Sequence, residues 1–284
     1  MCVRYLRHTL ESGGREGQII DSKAPAASAT LAILRLMSRF QRPIGARLIV
    51  DELGLPRSTV YQLLKILVDE GFLVRLDGTH RYALGIASFE IGAAFSYHQP
   101  LTRQGRQVLN EIVRHTGYSA HTCVLHGRDV LYIDEVRDPS QPPLVTEVGV
   151  RLPSHLTASG RSILAELPRS QVRALYPDRN AFTTRHGTGP AGPAALARTL
   201  DRVRKLGFGF VDDDVTPGMS SVASIVRDPY GHPIASIALT FATSEVDRAE
   251  DASEEAGLDR RRRLASLTAQ GALELEERLY GRRR

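Results

Sequence analysis

One stretch, LGLPRSTVYQLLKILVDEGFLVR at residues 53–75, restricts the fold more than any other. Val60, Leu63, Leu64 and Leu67 recur at i, i+3, i+4 and i+7, the period of a single buried helical stripe. Pro56 is placed to open that helix, because an amide there would have no intrahelical partner anyway. Just before it, Gly54 suits the C-cap of a short helix, ARLIVDELG. Just after it, GFLVRLDGTHRYALG holds two extended runs around Asp77-Gly78, a hairpin signal. Upstream, a helix is expected from Ser28 to Phe40, with Ile33, Met37 and Phe40 on one side, and Pro43 and Gly45 interrupt it. Helix, short helix, tight turn, helix and basic hairpin is the order of a winged helix-turn-helix.

Such a unit pushes the first half of its third helix into the DNA major groove. The residues off the apolar stripe are Arg57, Ser58, Thr59, Tyr61, Gln62 and Lys65, types that reach base edges and phosphates. Arg57 and Lys65 suit phosphates; Thr59 and Gln62 suit bases. Arg75, His80 and Arg81 on the hairpin would lie along the backbone or minor groove. Charge agrees with this. Residues 1–85 carry 12 Lys/Arg against 8 Asp/Glu, a net of +4 out of +5 for the chain, so a polyanion is drawn to this third. The other reading of these residues is a small helical domain whose polar face meets water.

The remaining chain is long enough for a second core. Residues 1–27 read as a Gly-rich tail. IASFEIGAAFSYH continues as a helix over 86–100, with Ile86, Phe89 and Ala93 spaced by three and four. From Leu101, TRQGRQVLNEIVRHTG is an amphipathic helix closed by Gly117. Hairpins follow around Gly127-Arg128 and around DPYG at 228–231. Hairpins separated by helices indicate an α+β domain with an antiparallel sheet over 101–284. On IASIALTF, Ile237, Leu239 and Phe241 share the face expected under helices. Ser236, Ala238 and Thr240 share the other, too small to fill a core and suited to lining a cavity. HLTASGRSILAEL places a helix N-terminus near Thr157–Gly160, with Ile163, Leu164 and Leu167 as its stripe, and such an end attracts anions.

The stretches LAILRLM, ELGLPRSTVYQLLKILVDEGFLVR, HRYALG, LPSHLTASGRSILAEL, LGFGFVDDD and PGMSSVASIVRDPYGHPIASIALT, in this order over about 28–245, resemble the IclR-type transcriptional regulators. That resemblance implies a DNA-binding regulator, in most similar proteins a repressor, with no catalytic activity and no cofactor. It also implies a linker helix that helps to pair protomers into a dimer or tetramer, and an effector domain similar to the GAF fold. By resemblance the effector pocket takes Ala158, Ser159, Val211, Ser221, Ala238 and Thr240. Some family members carry an acid in place of Val211, a cysteine in place of Ser221 and a serine in place of Ala238. This pocket is therefore less polar, which favours an organic acid or other small metabolite with more apolar surface than a two-carbon acid.

Three further clusters invite other chemistry. His121, Cys123 and His126 are close in AHTCVLHG, but a strand turns His126 away from the first two, and zinc needs about four ligands. The expectation is a core strand with an inert thiol and no metal; a metal or redox sensor using His121 and Cys123 is the alternative. Asp212, Asp213 and Asp214 read as a solvated turn. Arg260–Arg263, among nearby glutamates, read as a charged surface helix, and the charged segment 245–263 has no assigned role. With two cysteines, no apolar h-region and no run of about 20 apolar residues, the expected setting is the reducing cytoplasm, away from membranes. The remaining alternative is a DNA-binding protein whose second domain only oligomerises.

Overall fold

A computed structural model describes residues 23–40, 42–76, 78–98, 100–141, 144–244 and 254–281. The chain divides into two compact units, residues 1–98 and 99–284.

In the first unit, α1 (Pro25–Met37) begins three residues earlier than expected, because Pro25 fits the first turn. Residues 25–27, read as tail, are helical, and residues 1–22 lie outside the described residues. A two-residue strand β1 (Ile44–Gly45) leads into α2 (Ala46–Leu53), which ends on Gly54 in the left-handed conformation, φ 61°. Helix α3 (Arg57–Asp69) buries Val60, Leu63, Leu64 and Leu67, the stripe expected from spacing. Pro56 is its N-cap rather than its first helical residue, with an extended ψ of 135°. Strands β2 (Leu73–Leu76) and β3 (Arg81–Leu84) pair antiparallel, and β1 adds to β3, giving the order β1-β3-β2. β2 ends at Leu76 and β3 begins at Arg81, on either side of Gly78 as expected; Asp77 lies outside the described residues. Buried Ile33, Ile49, Leu64 and Leu73 knit the three helices and the wing into one core. Helix α4 (Ile86–His98) closes the unit.

The second unit is built on a six-stranded antiparallel sheet. It comprises α5 (Pro100–Thr116), β4 (Ser119–His126), β5 (Asp129–Val136), β6 (Arg151–Pro153), α6 (Ala158–Glu166), α7 (Arg169–Leu175), α8 (Pro193–Leu206), β7 (Gly209–Asp212), β8 (Met219–Arg227), β9 (Pro233–Ala242) and α9 (Glu254–Tyr280). Strand order is β6-β5-β4-β9-β8-β7. One sheet face is covered by α5 and α9, under which Ile237, Leu239 and Phe241 are wholly buried with Leu109 and Leu275. Across the other face runs α6. It is buried all round from Ala158 to Ala165, so it has no solvent face, and Leu167 lies beyond its end as the C-cap. Its polar side chains Arg161 and Ser162 are buried with hydrogen-bond partners, and α8 covers the helix from without through Leu196 and Leu200.

Candidate DNA-reading face and effector pocket

Helix α3 separates its buried residues from its exposed polar ones by angle. At 100° per residue, Arg57, Ser58, Tyr61, Gln62 and Lys65 fall within an arc of about 140°, and all five are exposed. Thr59 lies at the border of the buried stripe and is half-buried, so it does not share the middle of that face. The Arg57 guanidinium sits 5.6 Å from the Tyr61 ring centroid, which props the arginine over the helix mouth. No acidic residue occupies the first turn and no side chain caps it. Its amides and cations are thus left for an external anion. On the wing, Arg75 Nη2 and His80 Nδ1 meet at 2.5 Å. Register puts Arg75 opposite Tyr82 and Arg81 opposite Leu76, so Arg75 and Arg81 leave the hairpin on opposite faces.

In the second unit, all six expected pocket residues line one cavity of about 30 Å³. Sheet register brings four of them together: Val211 stands opposite Ser221, Ser221 opposite Thr240, and Ala238 opposite His121. Ala158 and Ser159 come from the first turn of α6, whose N-cap Thr157 accepts from the Gly160 amide at 3.0 Å. Two close approaches hold that turn down. A Cβ on Gly160 would run into the Ser154 carbonyl oxygen, and one on Gly209 into that of Ala158. Ser221 and Thr240 satisfy each other at 2.8 Å. The Ser159 hydroxyl has a contact with the Cys123 thiol and otherwise no partner.

The spacing of the sequence did not single out the rest of the wall, which includes His121, Tyr132, Leu144, Thr146 and Met219. One signal for His121 was present: on β4 it shares a face with Cys123, and that face is the cavity side. Cys123 itself is wholly buried, and burial pushes its thiol up to about 12. It is therefore protonated at neutral pH, the state of an inert thiol. His126 is exposed and bonds Arg151 at 2.9 Å. Among the described residues, no group of three His, Cys, Asp or Glu side chains stands close enough to hold a metal ion.

The aspartates correct one expectation: they do not form a solvated turn. Asp212 pairs with Arg261 at 3.0 Å and accepts from Ser220 at 2.7 Å. Asp213, at φ 60°, accepts from the Gly218 amide at 2.6 Å. Asp214 is buried against Arg161, which also donates to the His155 and Phe210 carbonyls. Arg161 thus ties α6 to edge strand β7 and to the loop that supplies Val215 and Thr216 to the cavity. A wider hollow of about 400 Å³ opens on the outer side of this staple, beside α8. In the arginine run, Arg261 serves Asp212 and Arg262 pairs with Asp259 at 2.9 Å, as befits a charged helix face. Residues 245–253 lie outside the described residues.

Residues 26–77 match the IclR helix-turn-helix domain, and residues 94–260 match the bacterial transcriptional regulator IclR C-terminal domain. The chain belongs to the IclR family of transcriptional regulators. It is 30% identical over 217 residues to the glycerol operon regulatory protein of Streptomyces coelicolor, covering 76% of this chain and 84% of that one. It is 24% identical over 218 residues to the transcriptional repressor IclR of Escherichia coli, covering 76% and 79%. The IclR homolog of Microbacterium hydrocarbonoxydans, solved in complex with 4-hydroxybenzoate, has the same fold at a TM-score of 0.72. It shares 18% sequence identity, with 90% of this chain and all of that one covered. No helix among the described residues is long and apolar enough to cross a membrane.

Proposed function

We propose that this regulator is a repressor that releases or retains its operator according to whether a small organic acid occupies the cavity under α6. The observation that carries the reading is the convergence of the first turn of α6, whose Ser159 hydroxyl has only the weak Cys123 thiol as a partner, on a cavity with a largely apolar wall in which Ser221 and Thr240 satisfy each other. Helix N-termini favour carboxylates, and the apolar wall of Leu144, Val211 and Met219 favours a ligand with a hydrocarbon or aromatic body. Two relatives point the same way: one is named a repressor, and one was solved with an aromatic acid.

In this reading, residues 28–85 bind the operator, 86–100 link, and 101–284 bind the effector and oligomerise. Arg57, Ser58, Tyr61, Gln62 and Lys65 enter the groove, with Thr59 at its margin and Arg75, His80 and Arg81 on the flanking backbone. Ile86 and Phe89 are 67% and 70% exposed on α4, an apolar surface suited to pairing with a second copy. Two copies would present two copies of α3 to a roughly palindromic operator.

About 30 Å³ is room for one or two waters, so an aromatic acid enters only when the wall moves. The effector then acts by its difference in affinity between open and closed arrangements. The narrowness of the cavity also favours a second reading, in which this domain only oligomerises. A melting-point screen of the full chain against benzoate, 4-hydroxybenzoate, hexanoate and pyruvate separates the two. At least one of the first three should raise the melting point and change operator affinity; no rise with any acid favours the second reading.

A further inference from the structure

Among the residues that line the cavity, one further polar side chain besides Ser159 has a buried atom without a hydrogen-bond partner. His121 is wholly buried and lines the cavity. Its Nε2 lies 2.8 Å from Thr146 Oγ1 and 3.7 Å from Glu135 Oε1, while its Nδ1 has no partner. The ring is held firmly, with Tyr132 edge-on at 5.5 Å between centroids and an interplanar angle of 88°. Its backbone stands between Glu135 on β5 and Ala238 on β9. No lysine or arginine lines this cavity. An acid group there meets no permanently charged side chain in the wall.

We propose that His121 reads the acid group of the bound molecule, its Nδ1–H and the Ser159 hydroxyl each donating to a carboxylate oxygen beside the α6 amides. This rests on the reading of the cavity as an organic-acid site. A proton on Nδ1 makes Nε2 the acceptor, and the Thr146 hydroxyl then donates to it. Thr146 belongs to the same stretch of wall as Leu144 and Val145. Recognition of the acid and closure of the wall are thereby one hydrogen-bonded chain, ligand to His121 to Thr146. An acid that engages Nδ1 fixes the tautomer that holds Thr146 in place. A neutral analogue without an acceptor of equal strength does not.

The test is calorimetric titration of the full chain with benzoate and benzamide, and with hexanoate and hexanamide. A hydrogen bond to a charged group is strong enough to make the unmodified chain prefer the acid of a pair about tenfold or more. His121→Leu should bring acid and amide level by weakening the acid alone. His121→Asn, which keeps a donor near the Nδ1 position, should keep part of the preference. If the leucine variant fails to fold, Thr146→Val serves in its place: the acid preference should shrink while amide binding holds. Undiminished acid preference in His121→Leu or Thr146→Val overturns the role of His121 and leaves the acid site standing. Equal loss of acid and amide also overturns it, since only packing would then have been removed. Failure of the unmodified chain to bind either acid overturns both readings.

Discussion

On α3 the residues proposed to meet DNA stand largely in water, with Tyr61 at 45% exposure; around the cavity, Ser159 and Ala238 are at 1% and 4%. The first set lies off the stripe that folds its domain, so recognition and folding use different atoms. The second set is part of the core, and Ala238 packs with Ala158, Val211 and Ala223 in one apolar cluster. A change on the first surface should therefore alter binding and spare stability. A change at the second is felt in both.

The largest test of that contrast is Asp214→Ala. It leaves the Arg161 guanidinium buried without its counter-charge, which should cost about 3–5 kcal/mol in urea unfolding. A loss no greater than an ordinary surface change produces would mean that the staple behind the cavity is solvated. Leu64→Ala, inside the α3 stripe, should cost about 2–5 kcal/mol and weaken binding to every DNA sequence alike, because it damages the scaffold. Two residues away, on the exposed face, the outcome should reverse. Gln62→Ala should move unfolding by no more than about 0.5 kcal/mol. It should lower discrimination between operator and random DNA by about 1–3 kcal/mol for each base edge it no longer reads. Equal weakening on both DNAs would remove Gln62 from base reading. Smallest of all, Lys65→Ala should weaken specific and random DNA together and reduce the salt slope by about one. An unchanged slope would take Lys65 off the phosphates.

The same contrast governs what was legible in the sequence. Val60, Leu63, Leu64 and Leu67 announce α3 because a helix repeats its buried side locally, and the exposed face follows by subtraction. The hairpins around Gly127 and DPYG, and the burial of Ile237, Leu239 and Phe241, are likewise written in short-range periods. The cavity is not. Strand alternation put Ala238 and Thr240 on a small-residue face, and HLTASG put a helix start near Ala158 and Ser159, but these segments meet Val211 and Ser221 only through strand register and the fold of α6 onto the sheet, so resemblance rather than spacing joined them into one site. His121 and Thr146 come together across 25 residues, and no local pattern joins them. The aspartates misled for a related reason: three adjacent carboxylates look solvated until Arg161 and Arg261, from distant helices, are brought to them. At α6 the expectation of a one-sided stripe failed because α8 covers its outer side.

Sequence-specific DNA binding is tested most directly by fluorescence anisotropy of the full chain on DNA from upstream of its own gene, against a scrambled duplex, across a salt series. Binding to the upstream DNA should be the tighter at every salt concentration, with affinity falling steeply as salt rises. Equal affinity for the two duplexes throughout the series would contradict a base-reading role for α3.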